Sequence, residues 1–118
     1  MTTPPVLDRA ALERLRRIGG SALVRQMLGL FREGAAQRLA AARAAVVEGD
    51  RPALGRAAHA LVSSAGNVGA AELLAVARAA EEAARAPDAD MRPALARLEE
   101  SIARLEGPLA AAEQEMAG

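Results

Sequence analysis

The chain has 118 residues, 52% of them apolar but only 1% aromatic, and its fifteen basic residues are balanced by fifteen acidic ones. That length builds one core and not two, and the scarcity of rings calls for helices that approach closely through alanine and leucine. Every basic residue is arginine and is interspersed with acids, so no basic stripe invites nucleic acid; no cysteine is available for disulfides or thiolate metal sites; and no long uncharged apolar run marks a signal peptide or membrane span, a pattern that reads as cytoplasmic.

Glycine, proline and aspartate cut the sequence into five helical segments, with none of the β-branched alternation a strand needs. Asp8 caps a short first helix that reaches about Arg17 and stops at Gly19-Gly20. Ser21 caps a long second helix, in which Val24, Leu28, Phe31, Ala35, Leu39, Ala42 and Val46 recur at steps of three and four until Gly49 ends it. Asp50 caps a third helix, with Pro52 tolerated in its first turn, and the stretch Gly66-Asn67-Val68-Gly69 breaks it. A fourth helix spans about Ala70 to Ala86. The Asp88/Asp90 region starts a fifth, carrying Leu95, Leu98, Ile102, Leu105 and Leu109, which Gly107-Pro108 should kink or fray.

The predicted fold is all-α: an antiparallel up-down-up-down four-helix bundle, with the short extra N-terminal helix covering one end. A single domain spans residues 1–118, and the apolar-poor ends, 1–5 and 113–118, are expected to be mobile.

The third helix holds the only histidine, His59. At 100° per residue, Leu54, Leu61, Ala65 and Val68 fall roughly 180–240° from it, so the stripe that faces the core leaves His59 pointing outward. Around it lie Pro52, Gly55, Arg56, Val62, Ser63 and Gly66, mostly small, with one cation a turn before the histidine. Each of the two glycines costs the helix about 1 kcal/mol relative to alanine, in a chain that uses alanine freely, which suggests clearance for a partner. Taken without context, a lone histidine is more often a solvated or hydrogen-bonded structural residue.

The run His59-Ala60-Leu61-Val62-Ser63-Ser64-Ala65-Gly66-Asn67-Val68-Gly69-Ala70 resembles the signature of histidine-containing phosphotransfer (HPt) domains, His-x-Leu-Lys-Gly-Ser-Ala/Ser followed after three residues by Gly-Ala. Leu28-x-x-Phe31, Leu39, Gly49-Asp50 and Leu54-x-x-Ala57-Ala58 are similar to the two helices that lead up to the family's histidine. Two departures sit on the functional face: Val62 and Ser63 stand where the family usually has lysine and glycine. The lysine is thought to help hold the phosphoryl charge, and Arg56 is placed to supply the missing cation.

The resemblance implies a phosphoryl carrier in a multistep two-component phosphorelay, without kinase or hydrolase activity of its own, in which His59 shuttles the group between aspartates of receiver domains. The implied partners are response-regulator receiver domains and a hybrid histidine kinase. No cofactor is implied, since magnesium belongs to the receiver. Docking would use the small residues beside His59 together with Leu23, Met27 and Leu30 of the second helix. Those three residues could equally extend the core beneath the first helix. The alternative is a degenerate module that docks receivers without transferring phosphate; a weaker one is an assembly bundle using the leucine-rich last helix.

Other chemistry finds little support. One histidine is too few for a bundle metal site, so no metal is expected. Glu81-Glu82 and Glu99-Glu100 are adjacent and splay apart, which reads as solvated charge. Ser63 lies one turn from His59, yet no orienting acid or oxyanion hole accompanies it. Without a large exposed apolar patch, the chain is expected to be a monomer.

Overall fold

The computed structural model describes residues 3–117, and the described residues form helices and turns without a strand. The four helices are α1 (Arg9–Glu48), α2 (Arg51–Val68), α3 (Ala71–Arg85) and α4 (Arg92–Glu115). Each packs on its two neighbours in cyclic order and the backbones of the diagonal pairs stay more than 8 Å apart, the arrangement that short connections between antiparallel helices produce. α1 is two helices joined at a kink: Gly20 leaves helical geometry with φ 76 and ψ −178, which separates the short arm at 9–19 from the long segment after it. The break falls one residue before Ser21, which is already helical, because glycine takes a positive φ at little cost and serine does not.

The caps at Asp8, Asp50 and Gly49 are those that the sequence implies, whereas Ser21, expected to cap the long helix, lies inside it. Asp8 accepts a hydrogen bond from the Ala10 N–H at 3.0 Å, Asp50 accepts from Ala53 at 3.1 Å, and Gly49 closes α1 in the left-handed region with φ 69. Asp90 accepts from the Arg92 N–H at 3.0 Å at the head of α4. The expected break at Gly66-Asn67-Val68-Gly69 falls on its last residue: α2 continues through Gly66 and Asn67 to Val68, with Gly69 as its left-handed cap. α4 stays helical through Gly107-Pro108, without the fraying expected there. A proline removes one helix hydrogen bond, and here the buried Leu105, Leu109 and Ala112 hold the helix on either side of it.

The core lies close to the predicted stripes, with small phase corrections. In α1 the stripe ends on buried Ala45, with Val46 only half-buried. In α4 the buried positions are Ala94, Leu98, Ser101, Leu105, Leu109 and Ala112, while Leu95 and Ile102 flank them. α2 buries Leu54, Leu61, Ala65 and Val68, as its polarity demands. A Cβ built on Gly55 would lie 3.6 Å from the Ala84 Cβ, which shows how closely α2 and α3 approach.

The N-terminal arm fastens the turn between these two helices. The Asp8 N–H donates to the Gly69 carbonyl at 2.7 Å, and the Pro5 carbonyl accepts from the Glu72 N–H at 2.9 Å, serving a helix head that has no side-chain cap. Gly69 has φ 77, and a Cβ there would lie 2.7 Å from the Ala11 Cβ. Arg104 donates to Glu72 at 2.9 Å across α3 and α4, and this bond holds the Glu72 carboxyl below the ordinary carboxylate range.

The ends are more engaged than their composition implies. Helix α4 reaches Glu115, Met116 is buried, and Glu113 pairs with Arg32 at 2.9 Å. Met1, Thr2 and Gly118, also expected to be mobile, lie outside the described residues.

Leu61 is fully buried, two residues from His59 on the opposite side of α2. Leu61→Ala should cost about 2–5 kcal/mol, read as a lower urea midpoint at unchanged slope. An unchanged midpoint would place that face of α2 in solvent.

Candidate functional site

Because the apolar stripe of α2 is committed to the core, the opposite face is presented to solvent, and His59 stands at its middle with 69% of its side chain exposed. Pro52, Arg56, Ser63 and Gly66 are exposed around it, and Gly55 and Val62 are half-buried along the seam with α3. Neither glycine is demanded by internal packing. A Cβ at Gly55 would make the ordinary 3.6 Å contact described above, and one at Gly66 would lie 3.4 Å from the Leu74 Cδ1.

The imidazole is not free-standing. Its Nδ1 lies 2.9 Å from Glu81 Oε2, and the same carboxylate oxygen lies 3.4 Å from a guanidinium nitrogen of Arg85, one turn on along α3. Glu81 has only 19% of its side chain exposed, so the expectation that Glu81 and Glu82 are both solvated fails for Glu81 and fits Glu82. The physical reason is the helix phase. Glu81 follows the buried Ala80 and lies one turn after buried Ala77, which turns it into the α2–α3 seam and not toward bulk water.

A carboxylate can only accept, so in the neutral imidazole the proton belongs on Nδ1 and the lone pair is left on Nε2. The exposed ring therefore offers a nucleophilic nitrogen whose orientation is set from a neighbouring helix. This is how a base-oriented nucleophile is built, with the roles held by two atoms of one ring.

A groove of about 480 Å³ runs beside His59 between α2 and α3. Its walls carry Arg51, Arg56, Arg85 and Glu81 over a floor that includes Pro52 and Ala84. Arg51 is committed to backbone: it donates to the Ala83 carbonyl at 3.2 Å and to the Ala89 carbonyl, which ties the end of α3 to the start of α2. Arg56 is exposed and makes no ion pair among the described residues.

The remaining predicted positions divide. Met27 and Leu30 line a shallow depression with Ser64 and Asn67 on the α1 side of α2, and Leu30 is 60% exposed. Leu23 does not join them and is half-buried against Gly19 at the kink. Ser63 makes no hydrogen bond to His59 among the described residues, and the serine that bonds back to its own helix is Ser64, to the Ala60 carbonyl at 3.0 Å. Spacing within one helix could not reveal Glu81 or Arg85, since both reach the histidine from another helix. The available signal was the Glu81–Arg85 step of four beside the alanine stripe of α3.

The model of the Hpt domain family matches residues 26–113. A crystal structure of histidine-containing phosphotransfer protein B (HptB) from Pseudomonas aeruginosa PAO1 superposes with a TM-score of 0.87 at 25% identity, covering 94% of this chain and 96% of that one. No curated protein matches. Among the described residues, no helix is long and apolar enough to cross a membrane.

The tautomer is directly observable. Nitrogen-15 NMR of the imidazole should show the proton held on Nδ1 in the wild type, and Glu81→Ala should abolish that bias while Glu81→Gln, still an acceptor, should keep most of it. Equal tautomer populations in wild type and Glu81→Ala would mean that the 2.9 Å contact does not orient the ring.

Proposed function

The chain belongs to the Hpt domain family, a family of histidine phosphotransfer proteins in phosphorelays, and from that premise we propose that His59 is its phosphoryl-carrying residue. The observation that carries this reading is the exposed ring with Nδ1 tied to Glu81 and Nε2 directed away from it. The donor is an aspartyl phosphate of a receiver domain. The Nε2 lone pair forms the N–P bond in line as the P–O bond breaks, and the aspartate carboxylate leaves with the bonding electrons. Onward transfer reverses the roles: a second receiver's carboxylate attacks phosphorus and the imidazole leaves with the electron pair. The proton on Nδ1 stays in place through both steps, held by Glu81.

This chemistry asks the carrier for positioning and charge balance, with little else. Magnesium and the acidic pocket that holds it are assigned to the receiver. Gly55 and Gly66 leave the approach to the ring low, and their lack of an internal packing need supports that use. The depression at Met27 and Leu30 supplies apolar contact for the docking partner, with the kinase's own receiver and the downstream regulator using the same surface in turn. The carrier acts as a monomer, without kinase or hydrolase activity of its own. Arg56 takes over the charge-balancing task of the lysine that Val62 replaces.

His59→Gln should retain the helical circular dichroism and lose all acid-labile, alkali-stable label from a phosphorylated receiver domain. Label on that variant would place the site elsewhere, and a wild type that binds the receiver yet takes no label would be a docking module. Arg56→Ala should transfer several-fold more slowly in stopped flow, a modest effect because the pair is exposed, and adding Val62→Lys should restore the rate. A wild-type rate for Arg56→Ala at low salt would assign the charge balance to other cations.

A further inference from the structure

Phosphorylation of His59 brings about two negative charges to the α2 surface, at a position where the family's lysine is replaced by Val62. Three arginines line the groove beside the ring, and they are not equivalent. Arg51 is occupied by the carbonyls of Ala83 and Ala89. Arg56 is exposed and has no ion pair or side-chain hydrogen bond among the described residues, so it would lose its full rotamer freedom on binding an anion. Arg85 is already held beside the ring, because the Glu81 oxygen that meets Nδ1 at 2.9 Å also meets its guanidinium at 3.4 Å.

We infer that Arg85, at the end of α3, is a second and better-ordered cation for the phosphoryl group, and that it exchanges Glu81 for the phosphoryl oxygens when His59 is modified. The inference rests on His59 as the carrier. Its 3.4 Å contact is long and the side chain is 70% exposed, so the pair with Glu81 orders Arg85 without locking it. A guanidinium presents paired N–H donors that match two phosphoryl oxygens, a fit a carboxylate shared with an imidazole does not offer. When Arg85 departs, Glu81 keeps only the Nδ1–H, which strengthens its hold on the ring in the phosphorylated state. Sequence spacing on α2 alone points to Arg56. The seam between the helices adds a cation that arrives from the other side.

Phosphoramidate is a suitable donor, because it brings no protein cations of its own: Nε2 forms the N–P bond, the donor's P–N bond breaks, and ammonia leaves after taking up a proton. Wild type, Arg85→Gln and Arg85→Lys are labelled at low ionic strength, and the His59 tautomer is followed by nitrogen-15 NMR. Arg85→Gln should label several-fold more slowly with the Nδ1–H tautomer unchanged, and Arg85→Lys should recover most of the rate. In the wild type, the Arg85 Nε–H resonance should shift on phosphorylation. A wild-type rate for Arg85→Gln, or an Arg85 resonance that does not move, overturns the proposal while leaving His59 as the carrier. A rate loss accompanied by loss of the tautomer bias would show that Arg85 acts only by holding Glu81, which also overturns it. A wild type that takes no label ends the reading of His59 and this inference together.

Discussion

The close packing of α2 on α3 through alanine and leucine is the constraint on which the site depends. A Cβ at Gly55 would sit within van der Waals reach of Ala84, and at that separation a glutamate on α3 can span to an imidazole on α2. Larger side chains in the seam would part the helices and leave His59 an unoriented surface residue. The burial of Leu54 and Leu61 fixes the rotation of α2, and the carbonyl contacts of Arg51 and the Asp8–Gly69 bond tie the two ends of the pair. The core thus sets the direction of the ring, and the seam sets which of its nitrogens is free.

The charge distribution follows the same division. The chain is formally neutral, yet the groove at His59 gathers three guanidinium groups and one carboxylate. Elsewhere the ions pair across neighbouring helices, as in Arg43–Glu99 at 2.8 Å and Arg104–Glu72 at 2.8 Å. Exposed pairs of this kind contribute little to stability, whereas the three guanidinium groups at His59 outnumber the one carboxylate that lines the same groove.

Much of this was legible in the sequence, for reasons that can be named. Aspartate and glycine mark helix ends through local chemistry, so Asp8, Asp50, Gly49 and Gly69 were readable one residue at a time. The outward direction of His59 followed from the period of the α2 stripe. Phase errors arose where alanine stood beside a larger residue: Ala45 is buried and Val46 only partly, because close approach favours the smaller side chain. Helix α4 persists through Pro108 because the proline's cost is local and the packing that offsets it is tertiary, which no pattern within one helix reveals. Glu81 and Arg85 were missed at the site because both come from a different helix, and a stripe within one helix says nothing about what faces it.

The proposed carrier chemistry places the phosphoryl group on Nε2 of His59 while Glu81 keeps the proton on Nδ1. Phosphorus-31 and nitrogen-15 NMR of the phosphorylated, uniformly labelled chain tests it in a single sample. One phosphohistidine signal is expected, with phosphorus–nitrogen coupling to Nε2 and a proton on Nδ1. A phosphorus atom coupled to Nδ1, or a stable phosphoryl group on any residue other than His59, would contradict it.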